Sequence, residues 1–151
     1  MRRGDPHPVT VAYAHVTAST TLSGVSSIQV ADQTFVAADG AAVAEVLGGP
    51  NRWREWWPDL ELEVREDRGD KGIRWTVGGG LTGTMEVWLQ PALDGVILHY
   101  FLHAEPPGVE RMSPRRLLAV IRTRRVAGKR MSFEIKARLE AGRAAGVTPA
   151  A

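Results

Sequence analysis

The sequence predicts an α+β fold: a curved antiparallel sheet wrapped around a long C-terminal helix, with two short helices after the first strand. Three observations predict it. Between Leu60 and His103, four strand-like segments are joined by short, turn-like connections, the pattern of antiparallel hairpins. Beyond Ser113-Pro114, the residues Leu117, Ile121, Gly128, Met131, Ile135 and Leu139 recur at helical spacing. The sheet then has one strongly apolar face, and the terminal helix is the only element long enough to cover it.

The elements follow in order. Ile28, Val30, Thr34 and Val36 share one parity and predict a first strand. Asp39 is a candidate N-cap for a short helix over Ala41–Leu47, which Gly48-Gly49-Pro50 stops. Asn51 is read as the cap of a second short helix through Trp56, ended by Pro58. Leu60–Glu66 places Leu60, Leu62 and Val64 on one face. Gly72–Val77 groups Ile73, Trp75 and Val77, and Thr82–Gln90 groups Met85, Val87 and Leu89. Val96–His103 is apolar on both faces. The last third carries two patterns, since Met131, Phe133, Ile135, Ala137 and Leu139 also alternate as a strand would. Strong helix formers, the Ser113-Pro114 start, the Gly142 stop and the Glu134–Arg138 pair decide for a helix over about 113–141. The glycine at 128 then marks a kink or a close approach to the sheet.

The chain of 151 residues is long enough for one domain with a real core. Residues 1–26 are expected to form a flexible tail, 27–143 the domain and 144–151 a loose end. The absence of cysteine excludes disulfides, thiolate metal sites and cysteine nucleophiles, and it suits a cytoplasmic protein. No apolar run approaches the roughly 20 residues of a membrane span, and the basic start at Met1-Arg2-Arg3 is interrupted too early for a signal peptide. Charge is unevenly placed. Residues 55–70 hold seven acids and two bases, whereas residues 105–143 hold eleven bases and four acids. Solvated faces account for most of this. Arg115, Arg122, Lys129 and Lys136, repeating every seven residues, nevertheless form a basic stripe suited to weak contact with an anionic membrane surface. No nucleic-acid motif accompanies it.

Three of the five tryptophans, Trp53, Trp56 and Trp57, fall within five residues at a helix–strand junction. The run Arg52-Trp53-Arg54-Glu55-Trp56-Trp57-Pro58-Asp59-Leu60 resembles the aromatic-rich end of the second short helix in the START-like superfamily of polyketide cyclase/dehydrase and lipid-transport proteins. Gly83-Thr84-Met85-Glu86-Val87-Trp88-Leu89-Gln90-Pro91, leading into Asp94-Gly95-Val96 and Tyr100, resembles that superfamily's late hairpin. Ile135-Lys136-Ala137-Arg138-Leu139-Glu140 resembles its closing helix. The resemblance covers residues 27–143 and implies a helix-grip fold with a cavity between sheet and helix. It implies either binding of a hydrophobic ligand or a cyclase/dehydrase activity, and it supplies no catalytic motif. The short stretch between Trp57 and Gly83 leaves room for only two strands, so a smaller sheet and pocket are expected.

The candidate ligand-binding residues are Trp57, Arg74, Trp75, Met85, Val87, Leu98, Tyr100, Met131 and Ile135. Bulky aromatics and pliable methionines suit an interior that accepts apolar molecules, and Arg74 would meet a polar head at the mouth. The expected ligand is a lipid, fatty acyl or polyketide-like molecule. Tyr100 is the only inward candidate for acid–base work. No cofactor and no metal are expected: His99 and His103 lie four residues apart on a strand, about 13 Å, too far to share an ion. Glu61 and Glu63 alternate with leucines and are read as solvated. The outward face carries Trp88, Ile97 and Phe101, an apolar patch that calls for cover by a second copy of the chain or by the N-terminal tail.

Overall fold

The computed structural model describes residues 25–141 together with Arg143 and Val147. The expected tail and loose end fall largely outside these residues, as does Gly142. The element order is β1 (Ile28–Val36), α1 (Gly40–Leu47), α2 (Pro50–Trp56), β2 (Leu60–Asp67), β3 (Gly72–Gly79), β4 (Thr82–Ala92), β5 (Gly95–Glu105) and α3 (Pro114–Leu139). The five strands form one antiparallel sheet in the order β1-β5-β4-β3-β2. The predicted α+β class and the long closing helix are both present.

Alternation decides the sheet's two faces. Val96, Leu98, Tyr100, Leu102 and Ala104 are buried along β5, while Ile97, His99 and Phe101 are half-buried on the other side. Met85, Val87 and Leu89 do the same on β4, as do Ile73, Trp75 and Val77 on β3. The pattern weakens on β2. Leu60 is buried and Leu62 half-buried, but Val64 is 44% exposed. The shared face of Leu60, Leu62 and Val64 is therefore buried only at its start: β2 is an edge strand, and its register shifts at a bulge between Val64 and Glu66. Gly79 takes a left-handed conformation (φ 79°) at the β3–β4 turn, where a side chain would be strained.

The long helix settles the ambiguity of the last third. Ser113 caps it, its hydroxyl accepting from the Arg116 amide, and Pro114 occupies the first turn. The short helices are capped more simply than expected. Asp39 stands at the N-cap of α1 without a side-chain cap bond, and α2 begins at Pro50 with Gly49, not Asn51, as its cap. On α3, Gly128, Met131, Ser132 and Ile135 are buried, and Leu117, Val120, Ile121 and Leu139 pack partly against the core. Helix periodicity wins over the two-residue alternation because the surroundings bury positions three and four apart.

The C-terminal half of α3 is stitched to β1. Lys129 donates to the Gln33 carbonyl and the Thr34 hydroxyl, at 3.2 and 3.0 Å, and pairs with Asp32. Lys136 donates to the Phe35 carbonyl at 2.8 Å, and Arg143 to the Ala37 carbonyl at 2.9 Å. These side chains occupy the outer margin of an edge strand that would otherwise be open to pairing. Two members of the expected basic stripe, Lys129 and Lys136, are thus engaged within the chain.

Candidate functional site

Between the sheet and the helices lies an aromatic block. It begins at α2, where the Trp53 indole donates to the Leu47 carbonyl at 2.5 Å and the Trp56 indole donates to Glu134 on α3 at 2.8 Å. The two bonds fix the short helix against its neighbours and turn Trp57, the residue after its last turn, inward. Trp57 stacks on Tyr100 of β5, with ring centroids 6.2 Å apart and planes at 9°. It also meets Trp75 of β3 edge-on at 6.0 Å, and Trp75 meets Trp53 edge-on at 5.5 Å. Such edge and offset contacts add to the large burial area of each ring.

Sheet and helix touch directly at this level. A Cβ on Gly128 would lie 2.2 Å from Cε1 of Tyr100, so only glycine lets the helix come this close. Gly128 marks a close approach, one of its two expected roles. Met85, Val87, Leu98, Met131 and Ile135 are all buried in the same core, together with Trp57, Trp75 and Tyr100.

The polar atoms of this interior are unevenly satisfied. Among the described residues the Tyr100 hydroxyl donates only to the Met85 sulfur, at 3.5 Å, a weak acceptor. Among the described residues the Trp75 indole N–H is buried without a hydrogen-bond partner, and the Trp57 N–H makes no hydrogen bond of good geometry, although it lies close enough to favour the ionised Tyr100 oxygen. Burial pushes the Tyr100 hydroxyl well above the usual tyrosine range, although Arg124 and the Trp57 indole pull the other way. Tyr100 therefore stays protonated at neutral pH.

Arg124 and Asp59 close one side of the block. The Arg124 guanidinium forks onto both Asp59 carboxylate oxygens, one of the bonds at 2.8 Å, which ties α3 to the start of β2. Asp59 is held below the usual carboxylate range chiefly by that hydrogen bond, with desolvation opposing it. Arg124 is held above its ordinary range by the same partner. Neither residue stood out in the sequence. A signal existed, because Arg124 falls on the core-facing series Leu117, Ile121, Gly128, Met131, where an unpaired charge would be costly.

Arg74 is a correction. It lies on the outer face, opposite to Trp75, where its Nε is 3.8 Å from Glu86; Arg68 joins the same carboxylate at 2.5 Å. Strand parity sends it there, so it does not meet a ligand beneath α3. Trp88, Ile97 and Phe101 do share the outer face. His99 lies between two rings, 4.7 Å from Trp88 and 6.2 Å from Phe101, and its Nε2 is 2.9 Å from the Gln90 side-chain oxygen. Trp88 is 39% exposed, whereas Ile97 and Phe101 are half-buried. Among the described residues no helix is long and apolar enough to cross a membrane.

Solved structures share this fold. The Aha1 dimer from Colwellia psychrerythraea aligns with a TM-score of 0.56 at 11% identity, over 78% of this chain and 99% of that one. A polyketide-cyclase-like protein from Corynebacterium glutamicum aligns with a TM-score of 0.50 at 17% identity, over 80% and 98%. The chain has the helix-grip fold. A conserved protein of unknown function from Enterococcus faecalis has the same helix-grip likeness, with a TM-score of 0.51 at 14% identity over 78% of this chain and 74% of that one. No family model matches the chain, and no curated protein matches it. At these identities the likeness is one of fold.

Proposed function

We propose that this helix-grip protein binds a small, largely apolar molecule that carries a hydrogen-bond acceptor, held between the sheet and α3. One observation carries the reading. The interior offers donors with nothing adequate to donate to: the Trp57 and Trp75 indoles, and the Tyr100 hydroxyl resting on a thioether. A buried donor left unpaired costs about 1–3 kcal/mol, which a ligand carbonyl or hydroxyl oxygen would relieve. Aromatic faces supply the apolar contact, with Met85 and Met131 able to repack around different shapes. The first half of α3 buries no residue before Gly128, packs only partly against the core through Leu117, Val120 and Ile121, and is tied to the start of β2 by Arg124.

Binding is favoured over catalysis. Among the described residues Tyr100 is the one strongly buried titratable group with a resolved shift in this interior, and its hydroxyl is held in the protonated form, a donor and not a base at neutral pH. A cyclase or dehydrase would need a general base within reach of the ligand. Tyrosine→phenylalanine replacement at 100 tests that alternative, which falls if turnover of a candidate polyketide is unchanged.

The test compares matched probes, a bicyclic aromatic ketone and the hydrocarbon of the same shape, by quenching of tryptophan fluorescence and by native mass spectrometry. The ketone is expected to bind about tenfold more tightly. The preference should disappear in Trp57→Phe/Trp75→Phe, which keeps an aromatic ring at each position and removes the N–H groups. No quenching and no bound mass with either probe would remove the reading.

A second reading concerns the outer face. The exposed edge of the Trp88–His99–Phe101 stack is an apolar surface suited to a second copy of the chain. Sedimentation equilibrium decides it: a dimer that Trp88→Ser dissociates supports the reading, and a strict monomer ends it.

A further inference from the structure

We infer that the outward side of α3 is a docking surface for an anionic lipid bilayer. From Arg111 to Phe133 the chain carries eight basic residues and no acidic one. Arg124 and Lys129 are turned to Asp59 and Asp32. Arg115, Arg116, Arg122, Arg125 and Arg130 are exposed and form no ion pair among the described residues.

Three large apolar side chains share this stretch and are exposed: Leu118 at 66%, Val126 at 57% and Phe133 at 54%. They are not core residues that missed their places. At about 100° per residue, Arg122, Val126 and Phe133 fall on the side of the helix opposite to Leu117, Ile121, Gly128, Met131 and Ile135, and Leu118 lies on its flank. Val126 and Phe133 line one shallow groove with Lys129, Arg130 and Glu134, whose carboxylate is engaged by the Trp56 indole and faces Arg52. The helix therefore has two apolar stripes, one spent on the sheet and one facing out amid arginines.

Exposed Leu, Val and Phe set among unpaired arginines are the composition of a helix lying in a membrane interface. The guanidinium groups meet lipid phosphates while the apolar side chains enter the acyl boundary. A nucleic acid would use the same charges but has no use for the aliphatic side chains, and among the described residues this face presents no row of stacking aromatics. The inference stands apart from the interior binding site and does not depend on it.

The experiment is co-sedimentation of the full chain with vesicles of phosphatidylcholine alone and of phosphatidylcholine mixed with phosphatidylglycerol. Binding is expected to the mixed vesicles only, and it should weaken as salt is added. Arg122→Gln/Arg125→Gln/Arg130→Gln is expected to lower affinity roughly 100-fold. Leu118→Ser/Phe133→Ser, which leaves the charge intact, is expected to lower it at least about tenfold. This second variant decides the matter should the arginine triple fail to fold. Arg54→Gln/Arg65→Gln/Lys71→Gln removes the same charge elsewhere and should leave binding unchanged. Equal binding to neutral vesicles, an equal loss in that control, or tighter binding to a DNA duplex than to the mixed vesicles would each overturn the inference.

Discussion

Tyr100 fills the space that a side chain at position 128 would need. The ring's Cε1 lies 2.2 Å and its Cδ1 2.5 Å from where a Cβ on Gly128 would stand. The glycine thus sets the distance between helix and sheet.

Gly128→Ala tests this contact. Alanine would gain about 1 kcal/mol of helix propensity, but overpacking a core of this kind costs about 1–3 kcal/mol, and both partners here are held by secondary structure. The expected outcome is a net loss of up to about 2 kcal/mol in urea unfolding. Combining it with Tyr100→Leu should recover part of the loss, so that the two changes are not additive. Additive effects would show that the two residues do not meet.

The Asp59–Arg124 pair gives a pH signature. Asp59 titrates below its ordinary value when folded, so its stabilising effect is present above about pH 4 and is lost as pH falls below that. Its carboxylate is 50% exposed, which limits the effect to about 0.5–1 kcal/mol. Asp59→Asn is expected to lower stability by that amount at pH 7 and to flatten the acid side of the stability curve. An unchanged acid limb would contradict the assignment.

At the alkaline end the sign reverses. The Tyr100 hydroxyl resists ionisation in the folded state, so its contribution is complete below about pH 10 and is lost as pH rises beyond it. Tyr100→Phe should remove this alkaline loss, measured as unfolding free energy against pH. At neutral pH the change should be small, since the hydroxyl gives up only a contact with the Met85 sulfur.

Leu93 adopts a left-handed backbone (φ 52°) at the β4–β5 turn and is 97% exposed. A branched side chain there is strained and packs against nothing that would compensate. Leu93→Gly is expected to raise stability by about 0.5–1 kcal/mol, read as a higher melting temperature. A fall would mean that the leucine contributes a contact.

The sheet and its inward face were legible because burial imposes a two-residue period that survives in Ile73/Trp75/Val77 and Met85/Val87/Leu89. The long helix was legible once Ser113-Pro114 was weighed against the alternation of residues 131–139. The exposure of Val64 was not, because an edge strand whose register shifts at a bulge keeps the pattern of a buried one. Of the candidate interior residues, Trp57, Trp75, Met85, Val87, Leu98, Tyr100, Met131 and Ile135 share one core, while Arg74 was placed at a mouth although its parity pointed outward. The Asp59–Arg124 pair was missed because its members are 65 residues apart. No local period links them, and only the charge on a core-facing helix position gave a hint.

The two margins of the sheet have different fates. Along β1, side chains of α3 and Arg143 cover the carbonyls of Gln33, Phe35 and Ala37, while β2 has, among the described residues, a neighbouring strand on one side only. Such a layer can lengthen in a single direction. A newcomer ribbon must bring positive side chains to meet Glu61, Glu63, Glu66 and Asp67. Two identical molecules would set like against like there, so the chain carries its own brake on end-to-end polymerisation.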